Sequence, residues 1–270
     1  MDCVTRVDKH PDPGETVHGK SLLYYPGGKG ANQAVASARL GAETRIIGNV
    51  GNDSFGETLI SFLKEQNVNT DSVGYSRCAS GAALIAVDEA GENTIIVNAS
   101  ANMDVTCKQL KQSKLTSGDL ILFQNEVNLE EMCKAFEYAK AKGSLVIYNP
   151  APAIDVPGRL FELSDFVILN KTEANFYDKH LDPQKHVILK TLGAEGIEIL
   201  RNDKITDIPG LKVKVIDTTG AGDCFTGAFA AALSRGYALE NAAAFANKAA
   251  SIAVQKHGAG TSMPFLREIE

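Results

Sequence analysis

The chain has 270 residues, of which 44% are hydrophobic, and its formal net charge is −6. This length can bury a large core as one α/β domain with an appendage or as two small domains. The charges form no long runs, which argues against nucleic acid or an anionic membrane surface as the main partner. No apolar stretch reaches the ~18 residues of a membrane span, and the first residues lack the apolar core of a signal peptide. The five scattered cysteines form no C-x-x-C pair, so we expect a cytoplasmic protein.

The first hundred residues predict two β-hairpins separated by two βα units. Residues 1–25 read as short extended segments around a Pro-Gly turn. A glycine turn then leads to a helix over 31–40, followed by a strand over 44–50 and a helix that begins at Asp53 or Ser54. Two apolar segments, 82–87 and 93–97, joined by a turn, predict the second hairpin.

Beyond Asn102 short apolar strands alternate with helices. Strands are expected near 120–123, 145–148, 166–169 and 186–189, with a helix over 129–142. Such alternation predicts a parallel sheet covered by helices on both faces. A small antiparallel run is expected from strands at 197–201, 204–208 and 211–215, followed by helices at 222–235 and 239–256. The chain is therefore expected to form a single α/β domain over 1–270, with insertions at about 1–25 and 75–100 that form a small separate sheet.

The clearest chemical signal is the stretch from Asp217 to Gly227. It reads as the end of an apolar strand, a turn that contains Gly220 and Gly222, and the start of an alanine-rich helix. Glycines let successive N–H groups converge at a helix N-terminus, where the partial positive charge favours a phosphate. The Asp223 carboxylate in this turn can accept a proton from an attacking hydroxyl. For an isolated Asp at this place, helix capping is favoured by roughly three to one.

Two other helix starts carry polar side chains suited to a ligand. Lys29, Asn32 and Gln33 offer the mixture of donors and acceptors that a polyol requires, although a solvated helix start explains them equally well. Asn170 and Glu173 share one face of a first helical turn and can hold water or Mg²⁺ near a triphosphate. On these two residues alone, a helix cap is favoured about two to one.

The remaining candidates are less specific. Glu126 follows a strand and fits either a ligand contact or a surface loop, and the glycine turn at 191–196 fits an ordinary loop. The glycines at 27–30 form neither a Walker A loop nor the dinucleotide-binding G-x-G-x-x-G, which argues against those nucleotide sites and against a dinucleotide oxidoreductase. No histidine or cysteine spacing is typical of a transition-metal site.

Four motifs together resemble the ribokinase-type carbohydrate kinases. In chain order they are Gly-Gly-Lys-Gly-Ala-Asn-Gln-Ala at 27–34, Asn-Pro-Ala-Pro at 149–152, Asn-x-x-Glu at 170–173 and Asp-Thr-Thr-Gly-Ala-Gly-Asp at 217–223. The resemblance covers nearly the whole chain. It implies a three-layer α/β sandwich with a mostly parallel central sheet and a small β-sheet lid. The implied activity is ATP-dependent phosphorylation of D-ribose at its primary hydroxyl. The alternatives are another sugar or nucleoside acceptor of the same family and a non-catalytic sugar-binding protein.

The resemblance also implies roles for individual residues. Asp223 matches the catalytic base, and Gly220, Ala221 and Gly222 match the anion hole. The positions that match sugar contacts are Asp2, Gly28, Lys29, Gly30, Ala31, Asn32 and Glu126. Those that match nucleotide contacts are Asn170, Thr191, Leu192, Gly193, Ala194, Glu195, Gly196, Gly222 and Asn247. Glu173 matches a residue that organises Mg²⁺ through water. An activating K⁺ is implied at Asp217, Thr219, Ala253, Lys256, Gly258 and Ser262. The lid is implied to join two subunits into a homodimer.

One departure from the family pattern concerns the start of the sequence. Ribokinase-type kinases carry an apolar strand and an Asn just before the position that matches Asp2, whereas this sequence starts at Met1. Without that interior strand, we expect apolar surface and unpaired backbone on its neighbours. The cost would be large against the ~5–15 kcal/mol that stabilises a whole domain.

Overall fold

The computed structural model describes residues 1–270, in which twelve strands and eight α-helices form. The strands are β1 (Asp2–Arg6), β2 (Ser21–Tyr25), β3 (Arg45–Gly51), β4 (Asn69–Ser76), β5 (Ala82–Val87), β6 (Asn93–Asn98), β7 (Leu120–Gln124), β8 (Leu145–Asn149), β9 (Phe166–Asn170), β10 (Val187–Thr191), β11 (Gly196–Arg201) and β12 (Lys204–Pro209). The helices are α1 (Lys29–Arg39), α2 (Ser54–Glu65), α3 (Cys107–Gln112), α4 (Leu129–Ala141), α5 (Arg159–Glu162), α6 (Lys171–Phe176), α7 (Ala221–Ser234) and α8 (Leu239–Ala253). No helix is long and apolar enough to span a membrane.

The central sheet has six strands in the order β12-β11-β10-β9-β8-β7. Strands β7 to β10 are parallel, and β11 and β12 add an antiparallel end. The side chains of each parallel strand are buried alternately on the two faces. Ile147 packs with α1, α7 and α8, whereas its neighbours Val146 and Tyr148 pack with α4, α5 and α6. The prediction of a mostly parallel sheet between two helical layers is confirmed.

Helices α1 and α7 approach each other very closely at Gly227. A Cβ on Gly227 would lie 2.7 Å from the Cβ of Ala36 and closer still to the Gln33 carbonyl oxygen. The Ser37 hydroxyl bridges the two helices, because its single O–H is shared between the carbonyl oxygens of Gln33 and Gly227, which lie 3.0 and 2.9 Å from Oγ. This contact fixes the middle of α1 against the middle of α7.

Substituting Gly227 with Ala is therefore expected to destabilise the protein by about 1–3 kcal/mol, the usual cost of overpacking. Gly222→Ala in the same helix is the matched control, because its Cβ would meet nothing within 4 Å. Urea unfolding of both variants measures the difference in the free energy of unfolding. Equal stability of the two variants would contradict the close helix crossing.

A second sheet has four strands in the order β2-β1-β5-β6. Strands β1 and β2 form one hairpin, β5 and β6 form the other, and the two hairpins join through parallel pairing of β1 with β5. Both hairpins predicted from the sequence are confirmed. Large apolar side chains of this sheet are more than half exposed, namely Leu22, Tyr24, Leu84, Ile95, Ile96 and Val97. We call this four-stranded sheet the lid.

The strand predicted at 211–215 is wrong, and so is the apolar strand expected directly before the glycine turn. Residues 210–220 carry no strand, and Val215 and Ile216 are 54% and 48% exposed. The backbone N–H groups of Ile216 and Asp217 both donate to the Val254 carbonyl instead. The alternation of apolar residues with lysines resembles a strand, but the chain here leaves the sheet and crosses to α7.

Four strands of the α/β core, β3, β4, β7 and β12, pair on one side only. Strand β3 pairs with β4, and β7 pairs with β8. Apolar residues of these strands, including Ile47 and Phe123, pack with Leu110 of α3 and Tyr138 of α4. Strand β7 is accordingly half-buried along its whole length, whereas most of β8 is fully buried.

Candidate active site

The candidate site lies at the carboxyl ends of the parallel strands, where such sheets bind ligands. Asn149, Asn170 and Thr191 end β8, β9 and β10, and Glu126 follows β7 by two residues. The N-termini of α1 and α7 meet at the same edge, because Asn32 and Gln33 contact Asp223. The site is therefore assembled from most of the chain.

Asp223 is the most buried acid of this site, with 7% exposure. Its Oδ2 accepts a hydrogen bond from Asn32 Nδ2 at 3.0 Å, and its Oδ1 accepts one from Gln33 Nε2 at 3.0 Å. The residue that caps α7 is Gly220, not Asp223. The helix-capping alternative for Asp223 is thus wrong, since its side chain turns towards α1.

The start of α7 leaves donors and space for an anion. Gly220 adopts a left-handed φ of 74°, which favours glycine. The N–H of Ala221 donates to the Thr218 carbonyl and that of Cys224 to the Gly220 carbonyl, whereas the N–H groups of Gly222 and Asp223 have no acceptor in the protein. A Cβ on Gly222 would meet nothing within 4 Å. Two free N–H groups and an open space at a helix N-terminus are suited to a phosphoryl group.

The start of α1 lies opposite the start of α7 in the cleft. Gly28 has a φ of 96° and also faces open space, and the backbone N–H of Lys29 donates to Glu126 Oε2 at 3.0 Å. Gly27 is packed tightly against the Asp2 carboxylate at the base of the lid. Gly30 and Ala31 continue the first turn, and Gly30 lies next to Gln124. These contacts bring the sequence-predicted sugar residues to one wall of the cleft.

Four acids share this cleft. Burial raises the pKa of Asp2, Glu126, Glu173 and Asp223, and the charge of Asp223 raises the pKa of the other three further. Against burial, the Lys29 ammonium lowers the pKa of Asp223, as do the hydrogen bonds from Asn32 and Gln33. Lys29 thus provides the positive charge that lets several carboxylates lie close together.

Removing one of these charges is expected to stabilise the free protein. A carboxyl whose pKa is raised on folding stabilises the fold at low pH and loses that contribution as pH rises through its folded pKa. Glu126→Gln keeps the shape and an oxygen for the Lys29 N–H, so we expect a higher Tm at about pH 7 and a smaller gain towards about pH 4.5. Thermal unfolding at both pH values measures this.

Glu131→Gln is the matched control. Hydrogen bonds from Lys134 and the Cys107 N–H lower the pKa of Glu131, so this substitution should lower the Tm at neutral pH. A lower Tm of Glu126→Gln at neutral pH would show that the Glu126 charge does not destabilise the protein without ligand.

The loop at 191–196 forms a separate wall with the end of β12. Gly193 has a φ of 62° and faces open space, and Gly196 packs tightly on the backbone of Ile208. Asn247 of α8 donates to the Pro209 carbonyl at 2.9 Å. Of the sequence-predicted nucleotide residues Thr191, Leu192, Gly193, Ala194, Glu195, Gly196 and Asn247, the structure brings Ala194, Glu195, Gly196 and Asn247 into contact with the 209–210 segment.

Asn170 and Glu173 form a full capping box at the start of α6. The Asn170 side chain accepts from the Glu173 N–H at 2.8 Å, and Glu173 Oε2 accepts from the Asn170 N–H at 2.9 Å. This is the capping alternative that the sequence favoured. The Glu173 carboxylate still lies close enough to Asp223 for their charges to interact. An oxygen donor at this place suits a hydrated Mg²⁺.

The predicted cation residues are brought together only in part. The Asp217 carboxylate accepts from the Thr219 N–H and from the Gly258 N–H, both at 2.9 Å. Burial alone would raise the pKa of Asp217. The hydrogen bonds outweigh burial, so the net effect is a lowered pKa and an ionised carboxylate. Lys256 pairs with Glu268, and the buried Ser262 hydroxyl donates to Ala259, so neither contacts Asp217. The ionised carboxylate and nearby carbonyls are oxygen donors of the kind that hard cations prefer.

The sequence did not identify the polar layer behind Asp223. From the sequence, Gln33 is a candidate polyol contact beside Lys29 and Asn32, and Asn149 is only part of a motif. Gln124 gave no signal. In the structure these three side chains form a hydrogen-bonded chain that ends on Asp223.

Comparison with known proteins shows the family to which this chain belongs. Residues 1–266 match the pfkB family of carbohydrate kinases. The chain belongs to that family. It is 37% identical to a ribokinase of Bacillus subtilis, covering 100% of this chain and 95% of the relative, and 36% identical to a ribokinase of Lactococcus lactis, covering 100% and 93%.

Solved structures of similar proteins share the fold. The crystal structure of a Thermotoga maritima ribokinase superposes with a TM-score of 0.91 and 33% identity, over 99% of this chain and 94% of that one. An Arabidopsis thaliana ribokinase complexed with ribose and ATP gives a TM-score of 0.90 and 28% identity, also over 99% and 94%. The three-layer fold with a small sheet as its lid is thus that of the pfkB carbohydrate kinases.

Proposed function

We propose that this chain is an ATP-dependent kinase that transfers the γ-phosphoryl group of ATP to the primary hydroxyl of D-ribose, giving ribose 5-phosphate and ADP. The observation that carries the proposal is the buried Asp223, whose two oxygens are held by α1 beside the free N–H groups at the start of α7. Relatives named ribokinase, at 34% to 37% identity over nearly the whole chain, support ribose as the acceptor.

In this proposal Asp223 is the base. Its carboxylate accepts the proton of the sugar hydroxyl as the oxygen attacks phosphorus and the bond from phosphorus to the β-phosphate oxygen breaks. The turn at Gly220, Ala221 and Gly222 forms the anion hole, in which the free N–H groups of Gly222 and Asp223 donate to the transferred phosphoryl oxygens. Lys29, Asn32 and Glu126, together with Asp2, Gly28, Gly30 and Ala31, hold the remaining sugar hydroxyls. The single chain folds as one kinase domain with the lid over the sugar.

The nucleotide would lie along 191–196 and Asn247, with its phosphates towards Asn170 and Gly222. Mg²⁺ would be held through water by Glu173, and when bound it neutralises charge on the phosphates. K⁺ would be held by the loops that carry Asp217, Thr219, Ala253, Lys256, Gly258 and Ser262. The contact between Asp217 and the Gly258 N–H supports the pairing of these two loops.

A homodimer through the lid is part of the same proposal. The exposed apolar residues of the lid, such as Leu84 and Ile96, support it, since large apolar patches mark interfaces. Sedimentation at micromolar concentration would reject it by detecting only monomer.

We also place the protein in the cytoplasm, which five free cysteines support.

One panel of assays tests the activity. ADP release is measured with Mg-ATP over pentoses, deoxypentoses, hexoses and nucleosides, with K⁺ present or replaced by Na⁺. We expect the highest kcat/KM with ribose and lower rates in Na⁺. A deoxyribokinase of Salmonella typhi is 31% identical, so faster turnover of deoxyribose would reassign the acceptor. Ribose binding without ADP release from any sugar would favour the non-catalytic alternative.

A further inference from the structure

We infer that Gln33 is a positioning residue for the proposed phosphoryl transfer, which fixes the orientation of the Asp223 carboxylate through a chain of side-chain amides that includes Gln124 and Asn149. The inference rests on the proposed function and adds to it residues that lie behind the base. None of the three contacts the reacting atoms in the proposed geometry.

The three side-chain amides satisfy all of their hydrogen bonds in only one set of orientations. Asn149 Nδ2 donates to the Ile168 carbonyl at 2.8 Å, so Asn149 Oδ1 must face Gln33. Gln33 Nε2 donates to that oxygen at 3.0 Å and, with its second hydrogen, to Asp223 Oδ1 at 3.0 Å. Gln33 Oε1 is then left to accept from Gln124 Nε2 at 2.5 Å. Each amide orientation fixes the next, and the chain presents a donor to Asp223.

Asp223 is thereby held from two consecutive residues of one helix. Asn32 occupies Oδ2 and Gln33 occupies Oδ1, so rotation of the carboxylate would break a hydrogen bond at either oxygen. Gln33 is 1% exposed, so no solvent could replace its amide. Donors fixed in this way do not have to reorganise during the reaction, which is how a preorganised site lowers a barrier.

The same amide acts on the charge of the base. Of the charged groups near Asp223, Lys29 on α1 lowers its pKa, and the acids Asp2 on β1, Glu126 after β7 and Glu173 on α6 have their own pKa raised by the Asp223 charge. Burial raises the pKa of Asp223, and the Gln33 hydrogen bond lowers it. Loss of this donor should therefore move the pKa of Asp223 upward and leave less of the base ionised near neutral pH.

A role in packing alone makes a different prediction. Gln33→Glu preserves the shape of the side chain but places a carboxylate against Asp223, whereas Gln33→Met preserves the length and removes the polar atoms. For a positioning role, the Glu variant should be the more impaired of the two at neutral pH, because like charges repel. For a packing role, the Glu variant should be no worse than the Met variant.

The test combines kinetics with a direct titration. For Gln33→Met we expect kcat for ribose to fall about 10-fold or more, the scale of one hydrogen bond to a charged group. The KM for ribose should change less than about 3-fold, and the acid limb of the kcat/KM profile should move to higher pH. ¹³C NMR titration of the Asp223 carboxyl in the free protein, assigned with Asp223→Asn, should show the same direction. Gln112→Met, on the exposed end of α3, is the matched control and should change nothing.

Each outcome decides the inference. An unmoved Asp223 titration in a folded Gln33→Met variant, or a Glu variant more active than the Met variant, overturns it. If neither Gln33 variant folds, Gln124→Met decides, because it loosens Gln33 from behind and should give a smaller shift in the same direction; no shift overturns the inference. If the parent protein phosphorylates no sugar, the proposed function fails, while the NMR titration still tests the hold of Gln33 on Asp223.

Discussion

Asp223→Asn is expected to lower kcat for ribose phosphorylation by ~10²-fold or more, as loss of a general base does, with a smaller effect on ribose binding. The reason is chemical, since an amide of almost the same shape cannot take the proton of the sugar hydroxyl. Steady-state ADP release gives kcat, and calorimetry with ribose gives the affinity.

The control for this substitution is Asp207→Asn, which makes the same change at an exposed position of β12. It should retain the parent kcat. Circular dichroism must show that Asp223→Asn is folded, because its new N–H₂ group faces the amide donors of Asn32 and Gln33. An unchanged kcat in the folded variant would remove Asp223 from the role of base.

Gly222→Leu is expected to abolish measurable phosphoryl transfer, with a loss of ~10²-fold or more in kcat/KM, while the protein stays folded. A Cβ at this position meets nothing within 4 Å, so the new side chain enters the open space in front of the free N–H groups. Oxyanion donors of this kind contribute about 10²- to 10³-fold each, and the side chain would keep the phosphoryl group away from both. The measurements are ADP release and thermal unfolding.

Gly118→Leu provides the comparison for Gly222→Leu. Gly118 precedes β7 at the opposite edge of the sheet, and a Cβ there meets only the Thr116 hydroxyl at 3.9 Å. We expect this variant to keep its activity. If Gly222→Leu also kept full activity, the space before α7 would not be where the phosphoryl group is transferred.

Much of the fold could be predicted because local chemistry and global packing agree. The start of α2 at Asp53 follows from a side chain that caps the helix by accepting from the Gly56 N–H at 2.8 Å. The end of α4 follows from Gly143, whose φ of 76° favours glycine. The continuous apolar strands β8 and β9 are buried on both faces, as parallel strands require.

The errors arose where the decisive partner is distant in sequence. The 211–215 segment has the alternation of a strand but pairs with no strand, and only the fold determines that. Asp223 reads as a helix cap until α1 is placed against α7, because the residues that hold it lie about 190 positions away. Gln124 and Asn149 act through Gln33, so their positions in the sequence carry no sign of the contact.

The position of the phosphate on the product tests the central claim most directly. The parent protein is incubated with ribose, Mg-ATP and K⁺, and the product is examined by ³¹P and ¹³C NMR. The account predicts a phosphate ester on the C5 oxygen of ribose, formed together with ADP and formed ~10²-fold or more slowly by Asp223→Asn. A phosphate on the anomeric oxygen, or ADP release without a phosphorylated sugar, would contradict it.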